Sequence, residues 1–217
     1  MAHVFFPSCK AKAAYPAASA RLQDYLTRRW GVTTAGCCRV DRTTLTGEDS
    51  AVVVCNNCAA ILEESSQAGA ISFVWELIDR DPDFPFPDYG GEEITVQDCW
   101  LSVERRSVQD TVRSLLRKMH LQPVEQADNY ERTRFCGVNL LSPCNPSNAK
   151  LAPRRYEGGR SPMFRPMSPA EQESFFRRHC ADITTRRVAC YCKFCTEGIR
   201  TGGKAGVHLL ELLFPEV

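Results

Sequence analysis

"AVVVCNNCAAIL", residues 51–62, is a run of small and branched apolar side chains that ends in Cys-x-x-Cys. "RVACYCKFCTEGI", residues 187–199, does the same. A short apolar run reads as a buried strand, and the segment after each cysteine pair has the composition of a helix start. Each stretch therefore predicts a strand that turns into a helix at two thiols.

The similarity extends in both directions. "VFFPSC", 4–9, is matched by "ITVQDC", 94–99, each a short apolar run ending at a cysteine. At the same offset "LTRRWGV", 26–32, falls on "LRKMHLQ", 116–122. Leu22, Tyr25, Leu26 and Trp30 recur at spacings of three and four, as do Val108, Val112, Leu115, Leu116 and Met119, so both segments are helical. Cys55, Cys58 and Gly69 are spaced as Cys192, Cys195 and Gly206 are, and "FVWELI", 73–78, resembles "HLLELL", 208–213. The middle of each unit holds Cys37 and Cys38 in one case and Cys136 in the other. The chain is an internal repeat, with halves 1–88 and 89–217 meeting near "DPDFPFPDYGGEE", whose prolines and glycines break helix and strand alike.

The second half carries extra sequence between its middle and its end. "SPCNPSNAKLAPRRYEGGRSPMFRPM", 142–167, lacks an apolar period and is expected to be a long surface loop. Its arginines, Arg154, Arg155, Arg160 and Arg165, read as a solvated surface, with an anionic substrate or acidic partner as the alternative. Ser168 with Glu171 forms a capping box, and a helix is expected over 169–182. The alternation of strands and helices predicts an α/β fold: two repeated subdomains, each a small, mostly parallel sheet with flanking helices. Cys9, Cys55, Cys99 and Cys192 all follow strands, so each half gathers thiols at one rim.

Composition narrows the function. There are 27 basic and 26 acidic residues, a net charge of +1, which gives no pull toward nucleic acid or anionic membrane. No apolar run reaches the ~20 residues of a membrane span, and the start lacks the pattern of a secretory signal. A cytoplasmic chain is expected, and there twelve cysteines point to metal or redox chemistry rather than disulfides. The histidines, His3, His120, His179 and His208, have no ligand spacing. "TGGKAG", 201–206, lacks the spacing of a phosphate loop. With no nucleotide or flavin fingerprint, electrons would pass to or from another subunit.

Cys, a gap, Cys-Cys, a gap, Cys-x-x-Cys, present twice, resembles the cysteine-rich CCG domain family, which includes the B subunit of heterodisulfide reductase. The resemblance implies a non-cubane [4Fe-4S] cluster held by Cys9, Cys37, Cys38, Cys55 and Cys58, with Arg39 where the motif has glycine. In the second half Phe135 stands where the first cysteine of the pair belongs. Cys99, Cys136, Cys192 and Cys195 remain, enough for zinc or a second [4Fe-4S] cluster. A fifth ligand there would have to be Cys144 or Cys190, the latter on the expectation that it shares an extended face with Cys192. The resemblance also implies an electron-transfer subunit of a redox complex, with a ferredoxin-like iron-sulfur or flavoprotein partner and thiol/disulfide chemistry on a disulfide substrate. Asp98, just before Cys99, either bonds near the site or ends its strand. Two other readings stay open: a zinc-stabilised scaffold, and a metal-free dithiol oxidoreductase.

Overall fold

The computed structural model describes residues 2–156 and 163–216. Its first sheet contains β1 (Ala2–Phe6), β2 (Thr33–Thr34), β3 (Asp49–Val53) and β4 (Ala70–Phe73), in the order β2-β1-β3-β4 and wholly parallel. The second contains β5 (Glu93–Gln97), β6 (Gln122–Val124), β7 (Arg187–Cys190) and β8 (Ala205–His208), in the order β6-β5-β7-β8, again parallel. The central strands β3 and β5 are buried along nearly their whole length, as expected of parallel strands covered on both faces. The edge strands β2 and β6 are two and three residues long, and Pro123 in β6 blunts that edge further.

The helices repeat with the strands. In the first half α1 (Cys9–Ala14) and α2 (Pro16–Trp30) lie between β1 and β2, α3 (Asn56–Ser65) follows β3, and α4 (Val74–Arg80) follows β4. In the second, a short 3-10 turn at Trp100–Ser102 and α5 (Arg106–Lys118) follow β5. The helices α9 (Lys193–Thr201) and α10 (Leu209–Leu213) follow β7 and β8. The matched segments at 73–78 and 208–213 fold alike: Phe73 and His208 occupy the N-cap positions of α4 and α10, and Glu76 and Glu211, three residues on, accept the cap N–H at 3.0 Å each.

The halves meet reciprocally. α4 packs on α5, and its counterpart α10 packs on α2. α3 packs on the Trp100–Ser102 turn, and its counterpart α9 packs on α1. Each half thus covers the other's first cysteine segment with its own Cys-x-x-Cys helix, an approximately two-fold arrangement.

The expected loop at 142–167 is partly helical. α6 (Pro146–Leu151) and α7 (Pro153–Tyr156) pack on α3, and Tyr156 is buried. Asn145 caps α6 through its side chain, and the Glu64 carboxylate accepts the backbone N–H groups of Arg154 and Arg155 at 2.8 and 2.9 Å. Two helix starts hidden behind prolines carry too few residues for an apolar period. Arg155 pairs with Glu104, so it is not a freely solvated arginine. Arg160 lies outside the described residues. α8 (Pro169–His179) has the expected Ser168–Glu171 capping box but stops at His179, where the chain turns through Cys180 toward β7.

His208 illustrates how tightly the halves are joined. It is fully buried, stacks on Tyr15 of the other half at 4.6 Å, and accepts the Leu210 N–H on Nδ1 at 3.2 Å. Burial pushes its pKa down to about 4. The unfolded chain, with an ordinary imidazole near pH 6.5, therefore takes up the proton first as pH falls. Stability present above pH 6.5 is expected to be lost toward pH 4, by about 3 kcal/mol. Urea midpoints across that range should show this loss in the native protein, and His208→Asn, which keeps a capping acceptor, should lack it.

Candidate metal centre

In each sheet the chain leaves the first strand to one side and returns on the other, which places a switch point between β1 and β3 and another between β5 and β7. Loops part there and leave a crevice at the strands' carboxyl ends. Cys9 and Cys55 lie past the ends of β1 and β3, and Cys99 and Cys192 past those of β5 and β7.

In the second half four thiols converge. The sulfurs of Cys99, Cys136, Cys192 and Cys195 all lie within 4.8 Å of one another, and all four lie in the interior, Cys192 being the least covered. Cys99 and Cys136 are 3.4 Å apart, Cys136 and Cys192 3.9 Å. Cys192 occupies the cap position of α9. The neighbouring Cys136, Cys195 and Cys99 thiols hold its own thiol well below the ordinary range. Burial pushes the Cys99, Cys136 and Cys195 thiols up. One thiolate ringed by three thiols is a set that gives up its protons to a cation. These four residues could hold a metal ion, and among the described residues no other group of three or more potential ligands is so compact.

Gly137 closes this site. Its φ is +50°, and a Cβ built there would overlap the Phe194 carbonyl oxygen, so the loop bearing Cys136 can lie on the start of α9 only with glycine. Gly137→Ala is expected to destabilise the protein by about 3 kcal/mol, read as a lower denaturant midpoint. Phe135, in place of a thiol, stacks on His179 at 4.1 Å and meets Phe176 edge-on at 5.9 Å. Both partners come from α8, which the first half does not have.

Cys190 and Cys144 stand apart from the set. Cys190 ends β7, and the chain turns at Tyr191 before Cys192, so the two do not share one extended face. Cys190 instead lies near Thr196. Cys144 is half-buried, its sulfur 3.8 Å from the Asn145 carbonyl oxygen.

The first half is more open. Cys38, Cys55 and Cys58 come together: interaction with Cys58 lowers the Cys38 and Cys55 thiols, and the same neighbours raise the Cys58 thiol. Cys55 also occupies the N-cap position of α3. Cys9, by contrast, is exposed at the start of α1, and Cys37 is half-exposed in the turn that Asp41 ties down. Arg39 reaches away, to Asn148 of α6 at 2.7 Å. The amide of Asn56, between the two thiols of α3, is buried with no hydrogen-bond partner. Buried polar groups are ordinarily hydrogen-bonded, so this amide is a polar group in want of a partner beside the thiols.

The two thiol sets are neighbours. Tyr156 hydrogen-bonds Asn57, which lies between Cys55 and Cys58, and its ring meets Trp100, next to Cys99, edge-on at 6.1 Å. No motif signals this link, because it runs through a residue of the inserted segment.

Fold and site together define an α/β protein of two parallel-sheet repeats with a buried cluster of four cysteines that could hold a metal ion. No family model matches the chain, nor does any curated protein or solved structure.

Proposed function

We propose that the chain is an electron-transfer subunit in which the second half holds one tetrahedral metal ion for structure and the first half holds an iron-sulfur cluster that does the work. The inequality of the two thiol sets carries this reading. A single ion at ~2.3 Å from four sulfurs sets them about 3.8 Å apart, which agrees with the 3.4 and 3.9 Å separations at Cys136. A cubane interposes irons and sulfides and needs wider spacing. The closed set therefore fits zinc, and a closed four-cysteine zinc site is structural. The first half supplies Cys9, Cys37, Cys38, Cys55 and Cys58, reaches the surface at Cys9, and keeps the unpartnered Asn56 amide beside them. This supports a larger group with an approach for a partner or a disulfide, in line with the resemblance to the CCG family. When bound, such a cluster accepts and releases single electrons. Cys9, Cys37, Cys38, Cys55 and Cys58 would be the thiolates that hold such a group.

Anaerobic purification with metal and acid-labile sulfide analysis tests the reading. Iron with sulfide plus one zinc is expected, and Cys9 should be alkylated in the metal-free protein and protected after iron-sulfide reconstitution. Zinc alone, with Cys9 reactive throughout, would favour the second reading, a zinc-stabilised scaffold, which the zinc-like spacing of the second set also supports.

A further inference from the structure

Tyr191 separates β7 from Cys192 and is fully buried. Its hydroxyl lies 2.7 Å from Asp98 Oδ1, 2.7 Å from Ser102 Oγ and 3.3 Å from the Cys99 backbone N, whose N–H it accepts. Asp98, also fully buried, takes both Arg113 guanidinium nitrogens at 2.7 and 2.8 Å and the Tyr130 N–H at 2.8 Å. The Asp98 carbonyl oxygen accepts from Thr133 at 3.2 Å, and the Trp100 N–H bonds the Phe135 carbonyl oxygen at 2.9 Å. The three chain segments that bring Cys99, Cys136 and Cys192 together are therefore tied to one buried polar core.

The first half lacks this core. Ser8 precedes Cys9 where Asp98 precedes Cys99, and its hydroxyl caps Ala11 of α1 at 3.3 Å. Val54, buried and apolar, precedes Cys55 where Tyr191 precedes Cys192. The half with the core has the compact thiol set, and the half without it has the open one.

We propose that Tyr191 and Asp98 are positioning residues for the second-half metal centre, fixing Cys99 against Cys192 at the spacing of a single ion. The inference rests on the reading that this set binds metal. Partners behind a ligand orient it, and their loss costs about 10- to 100-fold in metal affinity. Here they act through the backbone: the phenol holds the Cys99 amide while its own main chain carries Cys192.

The test is competition of zinc between a chelator and the full-length protein, together with the cobalt-substituted absorption spectrum. Tyr191→Phe keeps the ring and removes the hydroxyl, and Asp98→Asn removes the charge. Each is expected to weaken zinc binding about 10- to 100-fold and to shift the cobalt bands away from those of the native protein. Glu92→Gln is the control, because it breaks the Arg187–Glu92 pair, 2.6 Å, at the start of the same sheet without touching the site. It should leave both readouts unchanged. Ser102→Ala, which deletes one prop of the phenol, is a milder variant should the others fail to fold, and a several-fold loss is expected of it. Native affinity and spectrum in these variants, or an equal loss in Glu92→Gln, would overturn the proposal. A native chain that takes up neither zinc nor cobalt would instead sink the metal reading beneath it.

Discussion

Removing metal from the second-half set is expected to unfold that half. Four thiols are held around one point, and without a cation three of them are buried with raised pKa values. Structural zinc in small domains binds with about 10–16 kcal/mol at neutral pH, comparable to the ~5–15 kcal/mol total stability of a domain. Stripping the metal thus removes a share as large as the whole margin. Cys195→Ser should act in the same direction, since Cys195 is the fourth candidate ligand and also sits in the first turn of α9, packed under Gly137. Thermal unfolding with and without chelator, and hydrogen exchange along 187–199, would measure it. Exchange in β7 and α9 should rise sharply on chelation, with β3 and α3 less affected. A melting temperature indifferent to chelator would show that the four cysteines do not hold the fold through a metal.

Much of this arrangement was legible in the sequence because it depends on period and repetition. Apolar runs ending at Cys-x-x-Cys give strand, turn and helix directly, and their recurrence gives the two sheets. The helix start at Ser168 was readable because its cap and its partner Glu171 are three residues apart. What was hidden depends on contacts between distant residues. The helices of the inserted segment are four and six residues long and rest on Glu64 and α3 in the other half. That Cys190 lies outside the compact four-sulfur group turns on where β7 ends, a single-residue matter that spacing cannot decide. The buried Asp98–Arg113 pair brings together residues of two elements, and nothing local in "QDCW" or "DTVRSL" distinguishes them from a strand end and an exposed helix face.

That pair yields the second large effect. Arg113 sits in the middle of α5, where the charge pattern suggests solvent, yet it is 1% exposed. Its guanidinium makes a bidentate pair with Asp98 and a second pair with Glu125, at 2.9 and 2.7 Å, and lies over the Tyr130 ring at 4.2 Å. Burial opposes ionisation of Glu125, but Arg113 and Asn129 keep its carboxyl below the ordinary range. Arg113→Met fills much of the same volume and removes the charge. Glu125 is 39% exposed and can turn to water, but Asp98 cannot. Its carboxylate would keep only the Tyr191 hydroxyl and the Tyr130 N–H, in a site with no access to solvent. Breaking a buried pair from one side costs about 3–5 kcal/mol, and that loss is expected in the urea midpoint of Arg113→Met. Adding Asp98→Asn in the same chain removes the stranded charge, so the double variant should be more stable than Arg113→Met alone. If the double variant is instead the weaker of the two by the full cost of both changes, the penalty lies in packing rather than in an uncompensated carboxylate. Asp98 would then be held by its hydrogen bonds to Tyr191 and Tyr130, with Arg113 contributing mainly its ring contact and bulk.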